Sequence, residues 1–232
     1  MKKFKLVMIS FLPVVVLMSF LNPTGSEYYP MTKGIKSVFT HYDNKGNITQ
    51  IVTNDITDYT VENGIEKATT TSVMEDKKKN KSTTLKFEST FDGTTFEVDL
   101  KKITEETLKA GIKDQKVSVS VDGNNFKLPN NLQVGQKLEE IDLNMIMNSG
   151  NINFKFFMRY TDRTVTGTET IDTPAGKFDC FIISSQTEVK MLMTKTGTSK
   201  SWIAKGVGLV KQEDYNKKGK LISSEILTEF SK

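Results

Sequence analysis

The chain has 232 residues, of which 37% are hydrophobic, 26% charged and 9% aromatic; 32 basic and 28 acidic residues give a formal net charge of +4. This balance fits a globular chain and excludes general disorder. A single Cys and a single His exclude an intramolecular disulfide, a thiolate-rich metal site and a multi-histidine metal site within one chain.

Residues 1–26 read as a secretory signal. Lys2, Lys3 and Lys5 form a basic start, and the stretch from Leu6 to Leu21 is apolar apart from Ser10, Pro13 and Ser19. Asn22 to Ser26 is polar and turn-prone. Crossing a bilayer takes about 20 apolar residues, so this shorter, proline-interrupted run is read as a cleaved leader and not as an anchor. The only Cys is at position 180, which excludes acylation at a lipobox cysteine. Residues 27–232 are therefore expected as one antiparallel β domain, periplasmic or extracellular, with no stable membrane anchor. Without the leader, 29 basic residues face 28 acidic ones, so the basicity gives no support to a nucleic-acid partner.

After the leader, Thr, Val, Ile and Phe dominate, and period-two patterns recur. His41 lies in Phe39-Thr40-His41-Tyr42-Asp43, an early strand, with no sequence neighbour that would make it a catalytic base. Lys77, Lys78, Lys79 and Lys81 form a solvated hairpin tip without aromatics to stack bases. Leu85, Phe87 and Phe91 share a parity broken at Ser89, and Phe96, Val98 and Leu100 alternate strictly. Thr104 is expected to cap a short helix through Glu105, Glu106 and Ala110 that ends at Gly111. Glu105 and Glu106 would point about 100° apart, which suits the helix dipole and not an acid–base pair.

Val117, Val119 and Val121 alternate next. Asp122-Gly123-Asn124-Asn125 reads as a turn, lacking the later bidentate Glu of a calcium loop. Pro129 to Gln136 reads as a crossover within the domain. Phe154, Phe156, Met158 and Tyr160 form another single-face set, as do Phe178, Cys180 and Ile182, and then Val189, Met191 and Met193. Cys180 is expected to be a buried, inert thiol. Gly206 and Gly208 would leave one sheet face bare, with Trp202 lying across the gap or the sheet bending there. Ile222, Ile226 and Phe230 carry the last strand.

Turn sequences separate these runs at Asn44-Lys45-Gly46, Asn63-Gly64, Asp92-Gly93, Pro174-Ala175-Gly176 and Lys217-Lys218-Gly219. The expected fold is all-β: one large antiparallel meander of about ten strands with one or two short helices. A flat sheet, a closed barrel and an open curved barrel all accommodate this length.

No nucleophile elbow, phosphate loop or dinucleotide fingerprint is present, and no cofactor or metal is expected. Phe154, Phe156, Met158, Met191, Met193 and Trp202 are the candidate ligand-binding residues, flexible and aromatic groups suited to a hydrophobic or lipid-like ligand in a concave sheet face. A non-enzymatic cell-envelope scaffold, contacting a protein partner, is the alternative. A hydrolase using carboxylates such as Asp162 and Asp172 is the lesser reading, and the chain is not expected to be an enzyme.

Several segments together resemble a family of exported Bacteroidota proteins related to domain of unknown function 3108. They are Tyr28-Tyr29-Pro30, Tyr42-Asp43-Asn44-Lys45-Gly46, the stretch from Leu132 to Leu138, Thr173-Pro174-Ala175-Gly176-Lys177-Phe178, and the Gly-rich stretch from Trp202 to Lys211. The resemblance implies a curved, open, incomplete barrel wrapped around a hydrophobic hollow, similar to periplasmic lipoprotein carriers and their outer-membrane receptors (LolA/LolB-like). It implies no catalytic residues.

Overall fold

The computed structural model describes residues 25–111, 117–149, 152–190 and 193–232. The leader reading falls almost wholly outside these residues, as does Met191. The described chain forms thirteen strands and one helix, three strands more than expected. The first five strands are β1 (Lys36–Asp43), β2 (Ile48–Glu62), β3 (Ile65–Asp76), β4 (Lys81–Phe91) and β5 (Thr95–Val98). Helix α1 (Leu100–Gly111) follows, then β6 (Val117–Gly123), β7 (Phe126–Pro129) and β8 (Ile141–Ser149). The last five are β9 (Ile152–Thr173), β10 (Gly176–Lys190), β11 (Thr194–Ala204), β12 (Gly208–Asn216) and β13 (Leu221–Ser231). The four-residue strand β7 is too short for alternation to reveal.

All thirteen strands belong to one sheet, in the order β6-β8-β9-β10-β11-β12-β13-β1-β2-β3-β4-β5-β7, antiparallel at every pairing. The expected turns make its hairpins, with left-handed residues where type I′ geometry needs them, as at Asn63 (φ 53°) and Gly64 (φ 79°). Strands β1 and β13, from opposite ends of the domain, pair at the centre, Thr40 beside Ile226.

The sheet is open, with β6 and β7 as its edges, although these two strands are consecutive in the chain. Helix α1 carries the chain from β5 to the far edge at β6, and Asn124-Asn125 carries it straight back to β7. The crossover after β7 then lies along β9. Gly135 N donates to Val165 O at 2.8 Å, Leu138 N to Arg163 O at 2.8 Å, and Val165 N to Gln136 O at 2.9 Å. These bonds tie the seam without closing the ladder.

Bulges supply the curvature, because each extra residue bends its strand and increases the local twist. They also reset which residues face inward. At the β9–β10 bulge Asp162 takes φ 52°, and Tyr160 before it and Arg163 after it both line the interior. At the β1–β13 bulge Val38 pairs with Glu229 but Phe39 with Leu227. Ile222, Ile226 and Phe230 all lie on β13 as expected; Phe230 and Leu227 share the concave face, while Ile222 is 48% exposed.

The helix also begins earlier than expected. Asp99, not Thr104, is the cap: its Oδ1 accepts from Lys102 N at 3.0 Å, and Thr104 lies inside the helix. The earlier start turns Leu100 and Ile103 toward the sheet interior.

Candidate functional site

One end of the concave face is packed solid. Tyr28, Leu128, Leu132, Leu138, Val165, Ile183 and Ile203 are all buried there. Tyr28 plugs this end: its hydroxyl oxygen accepts from Leu132 N at 3.0 Å and its ring meets Phe181 edge-on.

Above this plug the interior opens into two lobes. The first, about 270 Å³, is apolar and bounded by Ile35, Phe39, Ile56, Phe87, Phe96 and Phe230, with Ile103 of the helix across its mouth. Ser89, which broke the sequence pattern, lies on the same inward face with a buried side chain. The second lobe, about 240 Å³, is bounded by Ile141, Met158, Tyr160, Arg163, Ser185, Ser201 and Gln212. Tyr29, Leu100, Phe126 and Leu209 line both lobes and form the partition. Tyr29 is fixed there by stacking on Phe96 (centroids 4.6 Å apart, planes at 11°) and by an edge contact with Phe126 at 5.9 Å. Gly208 makes room for that ring, since a Cβ on it would come within 2.6 Å of Tyr29. The aromatic lying over the glycine is thus Tyr29 and not Trp202.

The second lobe continues into a polar stripe. Gln212 pairs with Glu225 and Glu225 with His41, while Asp214 pairs with Ser223 and Ser199, so these residues share one face. Ser201 Oγ donates to Gln212 Oε1 at 3.1 Å, and Ser223 Oγ to Asp214 Oδ2 at 3.1 Å. His41 Nδ1 lies 3.3 Å from Glu225 Oε2. Burial, reinforced by Asp214, pushes the Glu225 carboxyl up to about 7, whereas burial lowers the His41 imidazole. Near neutral pH the Glu225 carboxyl is therefore divided between its neutral and charged forms, beside a neutral imidazole. The Ser199 hydroxyl is buried with no partner among the described residues.

The sequence-selected residues do not assemble into one site. Met158 lines the second lobe. Phe154 and Phe156 stack on each other (6.4 Å) toward the β8–β9 hairpin tip, with Phe154 40% exposed, and Met193 is 72% exposed. Trp202 is buried on the opposite face with Cys180, Ala204 and Val210. Its Nε1 donates to Glu169 Oε2 at 2.7 Å, and Lys211 sits 4.8 Å over its ring. Cys180 is buried as expected, and desolvation pushes its thiol up to about 11. Asp162 and Asp172 are both exposed and lie ten residues apart on one strand, a separation of roughly 30 Å.

The fold and hollow define a single-sheet β protein with an open, half-barrel interior. The chain belongs to the DUF3108-like family, whose match covers residues 32–227. Two crystal structures share its fold. One is of a proposed exported protein with a YmcC-like fold from Bacteroides fragilis, 19% identical, with a TM-score of 0.72 over 90% of this chain and 100% of that one. The other is of a proposed lipoprotein from Parabacteroides distasonis, 20% identical, with a TM-score of 0.67 over 89% of this chain and 100% of that one. No curated protein sequence matches the chain.

Proposed function

We propose that this protein is exported to the periplasm or beyond and binds or carries a hydrophobic, lipid-like ligand in the hollow of its sheet. The observation that carries the reading is the apolar lobe of about 270 Å³, near the lower end of the size range of ligand sites, lined by Phe and Ile side chains and opening beside the helix. A fully packed interior would have left no such lobe. Export is supported by the basic and apolar leader and by the descriptions of the two structural neighbours. Native mass spectrometry of protein purified without detergent tests the binding reading. The expected result is a lipid-sized adduct that dissociates on activation; a persistently ligand-free mass, combined with no uptake of added amphiphiles, overturns it.

One observation favours a second reading, a carboxylate-dependent hydrolase: Asp214 is close enough to Glu225 to help hold it protonated near neutral pH. Against it, His41 Nδ1 faces Glu225 and not a serine, and Ser199 Oγ makes no hydrogen bond to any of the described residues. Loss of a hydrolytic activity in Glu225→Gln, with ligand uptake retained, would establish this reading over the first.

A further inference from the structure

Arg163 is only 5% exposed, yet no carboxylate among the described residues lies within salt-bridge distance of it. One guanidinium N–H donates to Glu139 O, and the rest of the group lies over the Phe126 ring, 5.2 Å from its centroid. The nearby Glu139 carboxylate is engaged by Lys127 at 3.5 Å. A buried, unpaired cation is costly, and a guanidinium keeps a planar fork of donors suited to a carboxylate or phosphate. The bulge at Asp162 turns this fork inward, onto the second lobe and next to the partition made by Tyr29 and Phe126.

We propose that Arg163 is the head-group anchor of the hollow: the ligand is an anionic amphiphile whose carboxylate or phosphate pairs with Arg163 in the second lobe, while its hydrocarbon passes Tyr29 into the apolar lobe. This inference rests on the reading of the protein as a carrier of hydrophobic ligands. Tyr160 and Ser185 supply hydroxyl donors around the same space. Glu225 stands across from Gln212 on the lobe wall, and it and Asp214 are near enough to act electrostatically on Tyr160, so an anionic head is favoured only at the Arg163 side of the lobe, away from both acids. The two lobes lie on either side of the same groups, and the anchor stands against one of these, Phe126.

Titration calorimetry with four chain-matched probes below their micellar concentrations tests this: dodecanoate, dodecyl phosphate, dodecanol and dodecyltrimethylammonium. At least one of the two anions is expected to bind ten or more times as tightly as dodecanol and the cation, and the tighter of the two identifies the head chemistry. Arg163→Gln is expected to abolish that preference and leave dodecanol affinity within about twofold, while Arg163→Lys keeps part of it. Dodecanol matching both anions, or an anion preference surviving in Arg163→Gln, overturns the anchor and leaves the hydrophobic-carrier reading standing. Failure of all four probes overturns both. If circular dichroism shows Arg163→Gln unfolded, the wild-type ranking together with Arg163→Lys decides.

Discussion

Replacing Gly208 by Ala tests the partition directly. Gly208 opens β12 at φ 85°, where an L-residue costs roughly 1–2 kcal/mol. The added methyl would also meet two Tyr29 ring carbons at 2.6 Å. That ring has little freedom to retreat, being stacked on Phe96 and held edge-on by Phe126. Forcing one carbon into such a packed contact costs about 1–3 kcal/mol. The expected loss is therefore about 2–5 kcal/mol, read as a lower urea midpoint at unchanged slope. A double-mutant cycle with Tyr29→Leu separates the two parts, because it should recover the steric cost and leave the backbone cost in place. A loss below about 0.5 kcal/mol in Gly208→Ala, or the same loss with and without Tyr29, would refute the reasoning.

Three further outcomes are expected. The Glu225 carboxyl is raised from 4.5 to about 7, so the folded state holds the extra proton; its stabilisation is complete below pH 4.5 and is lost as pH rises through 7, by up to about 3 kcal/mol. Glu225→Gln should flatten this decline in thermal melts across that window, while His41, lowered by burial, adds a loss of opposite sign as pH falls below 6.5. Leu143→Ala, at a fully buried position, should cost about 2–5 kcal/mol in urea unfolding, whereas Ile222→Ala, at a half-exposed one, should change stability by less than about 0.5 kcal/mol. Cys180 should react with a bulky thiol reagent on the order of 100-fold more slowly in the native protein than in denaturant.

The antiparallel class and most hairpin turns were legible because turn residues and period-two runs are local signals. Leu85, Phe87 and Phe91 do face inward together, and the serine that seemed to break the set faces inward with them. The bulges were not legible. An extra residue in a strand leaves the composition of its flanks unchanged, so the reversal of parity before Arg163 and Leu227 was hidden, and with it the polar stripe. His41 and Glu225 lie 184 positions apart and become neighbours only through the β1–β13 pairing. The adjacency of Tyr28 and Tyr29 after the leader was visible, but not that one would plug the packed end and the other divide the hollow. Phe154, Met193 and Trp202 were chosen for their chemistry, and chemistry alone does not tell a lobe wall from a hairpin tip or the opposite face.

The central pairing of β1 with β13 has a kinetic side. Each half of the sheet can zip from its own hairpins, but in the ladder the halves join along β1 and β13, from Lys36 opposite Ser231 to Asp43 opposite Ser223, across nearly the whole domain. Such a long-range closure is slow to form. The last strand is also the last to be synthesised, so the interior of the sheet cannot be completed before the chain itself is, and the hollow is the final part of the fold to form.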